Sequence, residues 1–570
     1  MEKMHFQNFF KCMILVLFLL LLSTEYCNAV RGLSKRGHGK GKWQLLLKNA
    51  GVVAMHMALT HYDTVVILDQ MESGQSAYRL SHRLNGTRCG NTHVDQDDRS
   101  CYAHSVEYDI LSNKIRPLVS LETDTWCSSG SILSDGTIIQ AGGNGDGSRR
   151  IRQFKPCDNG KCDWKQMNSS LSDMRWYASS LLLPENDQII VVGGRRTFTF
   201  EFVPKLHSRG KSFDLPFLHR TYDKNGGGNN LYPILHLSSD GNVFIFANRD
   251  SILFNYKRKK VVKTFPRIPV DGSRSYPSTG SSVILPLDHK NGFHKVEVLI
   301  CGGAVQGAYA AASEKGKFLK GLRSCGRMVI TGNRHKWKME NMPGPRLMSD
   351  MLILPNGHIL IINGAKRGCA GWDNAASPAL QPYLYKPKKS LGRRFTVLRA
   401  TKIARMYHSS AILLPDGRVL VAGSNPNRRY EFKNVKYPTE LRLQAFVPDH
   451  LDRKFDHLRP HNVTIYTSSG KENVGYGGEF GVNFLLRRKL NSKNVGFNVY
   501  APPFTTHSLS MNQRMLRLRC KKMAKEENGW VKAVVEAPPS ANVAPAGYYL
   551  LTVVNGGIPG RSQWIKFMHK

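Results

Sequence analysis

The chain has 570 residues, 41% of them hydrophobic, so it is too long for one ordinary core and apolar enough to fold as two domains or one large closed repeat array. Its formal charge of +39 comes from Lys and Arg spread along the whole length, with no accompanying nucleic-acid motif. That pattern argues against a nucleic-acid partner and favours an acidic wall or matrix polysaccharide held by long-range attraction, the alternative being a solvated basic surface with no specific partner.

The first 29 residues have the layout of a secretory signal peptide: Lys3 and Lys11, the apolar run Met13 to Leu22, then Cys27-Asn28-Ala29 with a small residue at the end. The apolar run is shorter than the roughly 20 residues a membrane span needs, so cleavage after about Ala29 and no stable membrane anchor are expected. Residues 30–42 are rich in Gly, Lys and Arg and read as a basic flexible arm. Cleavage would remove Cys12 and Cys27 and leave nine cysteines, an odd number. In a secreted chain these predict disulfides, with Cys89–Cys101, Cys157–Cys162 and Cys301–Cys325 as plausible short-range pairs. At least one thiol is then left over, and Cys127 is the candidate. Three sequons, at Asn85, Asn168 and Asn462, fit the same reading.

From residue 43 onward a hairpin recurs: a small or apolar strand, a turn, then a β-branched strand ending in Gly-Gly or its like. Copies cover 131–143, 181–194, 235–249, 283–303, 351–365 and 411–425, and a degenerate copy covers 52–70. The period of about 50 to 70 residues suits the four-strand blades of a β-propeller. The fold expected is therefore all-β, with a seven-bladed kelch-like β-propeller over 43–458. Short strands broken by Pro and Gly follow over 459–570, with the spacing of an immunoglobulin-like β-sandwich.

Aligned on the hairpin turn, Cys127, Tyr177 and His408 occupy one repeat position, which Tyr232, Thr279 and Met348 share. Equivalent positions of a closed ring converge on one face, so a thiol, phenols and an imidazole become neighbours. Tyr407 precedes His408, and His507 stands in Thr-Thr-His-Ser in the second domain. Imidazoles with oxygen ligands suit Cu(II), although taken singly each residue reads more readily as packing or a satisfied polar group.

The motifs Thr-Asp-Thr-Trp-Cys127, Met-Arg-Trp-Tyr177, Arg-Met-Tyr407-His408 and Thr-His507-Ser, in this order, resemble the galactose oxidase and glyoxal oxidase family of copper-radical oxidases, most closely the plant glyoxal oxidase-like aldehyde oxidases. The resemblance spans nearly the whole mature chain. It implies one copper ion bound by Tyr177, His408 and His507 in the plane and Tyr407 axially. It also implies a thioether between Cys127 and the ring of Tyr177, forming the redox cofactor, with Tyr407 taking the substrate proton. Implied partners are a small aldehyde of the glyoxal or methylglyoxal type and O2, with a carboxylic acid and hydrogen peroxide as products. A primary-alcohol or galactose-type carbohydrate oxidase at the cell wall is the second reading, and a non-catalytic glycan-binding propeller the third. The family's tryptophan over the cross-linked tyrosine is replaced after Gly193-Gly194 by Arg196, so Arg196 and Tyr232 are expected in the substrate pocket. Phe198 or Phe200 would then supply the aromatic cover, with Trp126 and Trp176 as alternatives. A secreted monomer is expected, in the wall or apoplast if the source is a plant.

Overall fold

The computed structural model describes residues 39–82, 88–89, 101–205, 210–467, 473–487 and 491–569. The chain divides at Gly41, and the expected signal peptide and most of the basic arm lie outside the described residues. The arm stops short of its expected end, because Lys42 already opens the strand Lys42–Leu47.

The seven hairpin copies all form, and each belongs to a four-stranded antiparallel meander in its own sheet. The strands opening the meanders are His56–Leu59, Ser129–Ile132, Ser179–Leu182, Ile234–Leu237, Ser281–Ile284, Asp350–Ile353 and Ser409–Leu413. Nearly every residue in them is buried, as expected for strands enclosed on both faces. Gly417 shows why the turns need glycine: it takes φ +86° between strands that pair Leu413 with Val419. Ser179–Leu182 packs against the opening strands on either side of it, and Ser409–Leu413 packs against His56–Leu59 and Asp350–Ile353. The last meander borrows its outer strand from the start of the chain: Lys42–Leu47 pairs antiparallel with Leu443–Val447.

Four meanders share a buried brace in the loop before the opening strand. The guanidinium of Arg175 donates to the carbonyl of Gly193 (2.8 Å), Arg346 to Asn363 (2.7 Å), Arg405 to Gly423 (2.8 Å), and Arg274 to Gly302 and Ser324. The carbonyls of Gly193, Asn363, Gly423 and Gly302 lie at the end of the second strand of the same meander, and that of Ser324 opens the third, so one cation ties each loop to its sheet. The neighbouring backbone is equally tight. A Cβ on Gly302 would collide with the carbonyl of Arg346 in the next repeat, which is why the second strand ends in glycine.

Beyond residue 460 two mostly antiparallel sheets face each other. One is His461–Tyr466, Glu479–Leu485, Trp530–Glu536 and Cys520–Lys525; the other is built on Arg514–Leu518, Val495–Ala501, Gly547–Asn555 and Gln563–Met568. Phe484 meets Phe497, and Phe480 meets Phe567, across the interface. Two features join this unit to the repeats. Leu287–Asp288, from the fifth hairpin copy, pairs in parallel with Arg514–Leu518, and the hairpin Phe504–Met511 adds to the inner edge of the first meander.

Cys89–Cys101, Cys157–Cys162 and Cys301–Cys325 are all disulfide-bonded. Among the described residues three thiols stay free, where only Cys127 had been singled out: Cys127 and Cys369 are buried and Cys520 is half-buried. Asn168 and Asn462 are exposed, and Asn85 lies outside the described residues. No helix among the described residues is long and apolar enough to cross a membrane.

Candidate active site

The repeat position is a backbone conformation before it is a set of side chains. Cys127, Tyr177, Tyr232, Thr279, Met348 and His408 all adopt left-handed φ, between +48° and +64°. L-residues rarely do so, and here the arginine-braced loops turn sharply into the opening strands to impose it. The turns are stitched to one another: Tyr177 N donates to Cys127 O (2.9 Å), Tyr232 N to Tyr177 O (2.8 Å), and Met348 N to Thr279 O (2.9 Å). Residues hundreds of positions apart in sequence thus project into one buried space.

His507 enters that space from the second unit. Its hairpin pairs Thr506 with His56, Thr505 with Met57 and Phe504 with Ala58, and Gly130 leaves the room that the Phe504 ring fills. His507 and Ser508 form the tip, both with positive φ, as a two-residue turn of this twist requires. Thr506 Oγ1 lies 2.6 Å from His507 Nδ1 and fixes the ring, leaving Nε2 to face the site 3.2 Å from Cys127 Sγ. The ligand atoms of Cys127, His408 and His507 all lie within 4.8 Å of one another.

Three phenols complete the cluster. Tyr276 Oη sits 3.1 Å from Tyr177 Oη and 2.8 Å from Tyr407 Oη, bridging the two expected tyrosines. Sequence reading missed Tyr276 because the repeats were aligned on the hairpin turn, which places Thr279 opposite Tyr177. Counting from the buried arginine recovers it: Arg175-Trp-Tyr177, Arg274-Ser-Tyr276 and Arg405-Met-Tyr407 share one spacing, and their three hydroxyls meet. Tyr232 lies beside Tyr177 and His507, with ring centroids at 5.5 and 5.2 Å. Its hydroxyl is committed to the carbonyl of Ser128 at 2.8 Å, so it anchors the turn that carries Cys127.

The ring against Tyr177 comes from Trp176, one of the two alternatives named, and not from Phe198 or Phe200. Phe200 packs in the core against Phe202 and Phe254, and Phe198 packs against His219 and Tyr222. Arg196 is exposed; the neighbouring Arg195 instead lies over the Trp176 ring, 4.9 Å from its centroid. The ring against Tyr177 is Trp176, at 4.8 Å and 35°. Trp126 meets Trp176 edge-on at 4.8 Å and stacks on Trp372 at 4.8 Å and 16°. Trp372 comes from a loop with no counterpart in the other repeats, so no periodic signal marks it.

The electrostatics leave the site short of partners. Burial drives the imidazoles of His408 and His507 well below their ordinary pKa and raises the Tyr177, Tyr407 and Cys127 groups well above theirs. All five are therefore neutral. Both ring nitrogens of His408 are buried without a hydrogen-bond partner, an expensive arrangement for a neutral imidazole, one of whose nitrogens must carry hydrogen. A metal on the bare nitrogen relieves part of that cost. Neutral imidazoles beside phenol oxygens in one buried cluster form a donor set that fits Cu(II).

Residues 55–450 match the family model described as glyoxal oxidase N-terminus, and residues 459–567 match the galactose oxidase-like, Early set domain. The chain is 41% identical to Aldehyde oxidase GLOX of Vitis pseudoreticulata, over 93% of this chain and 97% of that protein. It is 42% identical to Aldehyde oxidase GLOX1 of Arabidopsis thaliana, over 93% of this chain and 85% of that one. Among solved structures, a fungal alcohol oxidase of the AA5 family, in complex with copper, has a similar fold: TM-score 0.69 at 19% identity, covering 93% of this chain and 99% of that one.

Proposed function

Because the chain belongs to the glyoxal oxidase family, we propose that it is a secreted copper-radical oxidase that takes small aldehydes, through their hydrates, to carboxylic acids. The balance is RCH(OH)2 + O2 giving RCOOH + H2O2. The observation carrying this reading is the convergence of Cys127, Tyr177, Tyr407, His408 and His507 in one buried space where His408 has no partner. Tyr177, Tyr407, His408 and His507 would hold the copper. Bound copper would accept one of the two electrons that the oxidation releases, and the Tyr177 ring, held one electron oxidised and tuned by a thioether to Cys127, would accept the other.

The protein's own groups do the rest. Tyr407, having given up its own proton on binding copper, would accept the proton of the substrate hydroxyl at Oη, and its hydrogen bond with Tyr276 Oη holds the ring in place for that transfer. Thr506 orients His507, and the Arg175, Arg274 and Arg405 braces fix the loops bearing the three tyrosines. Trp126, Trp176 and Trp372 make an apolar wall beside Tyr177, which favours a small substrate and keeps water from its ring.

The same reading takes the seven meanders of 43–458 as blades of one closed ring and 459–570 as a second domain that supplies His507. It takes the protein as a monomer exported by its first 29 residues, which three disulfides support, with an acidic wall polysaccharide as partner to its positive surface.

The test is peroxide release by copper-loaded protein. Methylglyoxal should be turned over much faster than galactose, and Cys127→Ser should abolish nearly all turnover. Undiminished turnover by that variant would sink the mechanism, and a preference for galactose would favour the carbohydrate-oxidase alternative.

A further inference from the structure

A second cavity, of about 610 Å³, opens between the repeats and the C-terminal sheets. The site residues Thr279 and Met348 precede the strands Ser281–Ile284 and Asp350–Ile353, whereas the cavity is lined by residues that follow those strands. It therefore lies at the opposite end of the sheets from the candidate active site.

Its lining is strongly one-sided in charge. Lys290, Lys386, Lys388, Lys389, Lys493 and Arg517 face it, with His289 and His358, against the single carboxylate of Asp288. Asp288 is held by Arg517 at 3.5 Å, and none of the five lysines has an ion-pair partner among the described residues. The crowding is felt by the groups themselves. Burial, then Lys386, Arg517 and Lys388, pull His358 down to about 4, and Lys388 is lowered by burial and by Arg517. Like charges gathered in a concave wall focus a positive potential that a bound anion would relieve.

We infer that this groove is an anchoring site for an acidic polysaccharide, in which carboxylates spaced along the chain meet lysines from three separate segments. The inference rests on the polyanion reading above and gives that partner a place on the molecule. Three features favour this occupant. Lysines act as point charges and tolerate a repeating polyanion, whereas compact phosphate recognition would call for free arginine forks, and the one arginine here is engaged. Phe497 is the only Phe, Tyr or Trp in the lining and is buried, so the groove offers no stacking platform for nucleic-acid bases or neutral sugar rings. The disulfides place the folded protein where acidic polysaccharides occur. Anchoring here would hold the oxidase on a matrix while leaving the opposite face open to small substrates.

The experiment measures retention of the full-length protein on immobilised polygalacturonate, neutral galactan and double-stranded DNA across a salt series. The groove variant combines Lys290→Gln, Lys388→Gln and Lys493→Gln, all exposed; the matched control combines Lys114→Gln, Lys260→Gln and Lys433→Gln. The wild type should bind polygalacturonate in a salt-sensitive way. The groove variant should bind at least about tenfold more weakly and the control less than about twofold, with turnover of a small aldehyde unchanged in both. Polygalacturonate should also slow alkylation of Cys520, the half-buried free thiol on the groove wall. Equal weakening in the two variants would overturn the groove while leaving the polyanion reading intact. No binding by the wild type would overturn both, and DNA retention equal to that on polygalacturonate would overturn the choice of carbohydrate.

Discussion

Replacing Tyr276 by phenylalanine isolates the role of the bridging phenol. The ring would stay packed against Tyr177, where the centroids are 4.4 Å apart, and only the oxygen that meets Tyr177 and Tyr407 at 3.1 and 2.8 Å would go. Two buried neutral hydrogen bonds are lost. At about 0.5–1.5 kcal/mol net for each, the variant should lose about 1–3 kcal/mol of stability and still fold. Catalytically, Tyr407 would lose the neighbour that fixes its hydroxyl. A penalty of similar size in the transition state corresponds to about a 5- to 150-fold fall in kcat, with a smaller effect on KM. The assay is steady-state peroxide production alongside copper content by elemental analysis. Full copper content with depressed kcat is expected. Unchanged kcat would refute the positioning argument, and loss of copper would show that Tyr276 belongs to the ligand set.

Two further outcomes follow from the same packing. Arg405→Met removes the donor to the carbonyls of Gly423 and Arg442 (2.8 and 2.9 Å) and should cost about 2–4 kcal/mol in urea unfolding; wild-type stability would mean that the released burial cost of the guanidinium offsets the lost bonds. Asp350 is fully buried with one carboxylate oxygen unpartnered, and burial raises its pKa to about 8. Between pH 4 and 8 the folded state thus holds a proton that the unfolded state has released, so this group's contribution to stability falls as pH rises. Asp350→Asn, which keeps an acceptor for Asn363, should gain in thermal stability relative to wild type at pH 8 compared with pH 5, and the opposite trend would contradict the assignment.

Much of this was legible because a run of like hairpins turns sequence register into spatial position. Cys127, Tyr177 and His408 could be paired without a structure because each sits where a loop enters an opening strand, and all three share the left-handed turn that such entry imposes. His507 was readable only through its motif, since nothing periodic connects a residue of the C-terminal strands to the repeats. Tyr276 was hidden by the choice of reference point, because the loop between Arg274 and the strand at Ser281 is longer than its counterparts and shifts the phenol away from the turn-aligned column. Counting residues past Gly193-Gly194 likewise put Arg196 at the ring of Tyr177, whereas that backbone turns outward and Trp176, from the preceding loop, takes the place. The basic groove needed the fold itself, since its lysines come from two repeats and a C-terminal turn.

The central claim is that Cys127 and Tyr177 become one redox group. Peptide mass spectrometry of copper-treated protein, after reduction and alkylation, tests it without knowledge of the substrate. The account predicts a joined species containing the Cys127 and Tyr177 peptides, lighter than their sum by the thiol hydrogen and one ring hydrogen, and resistant to reductant. Recovery of two separate peptides from protein that is fully loaded with copper and turning over aldehyde, with Cys127 alkylated, would contradict it.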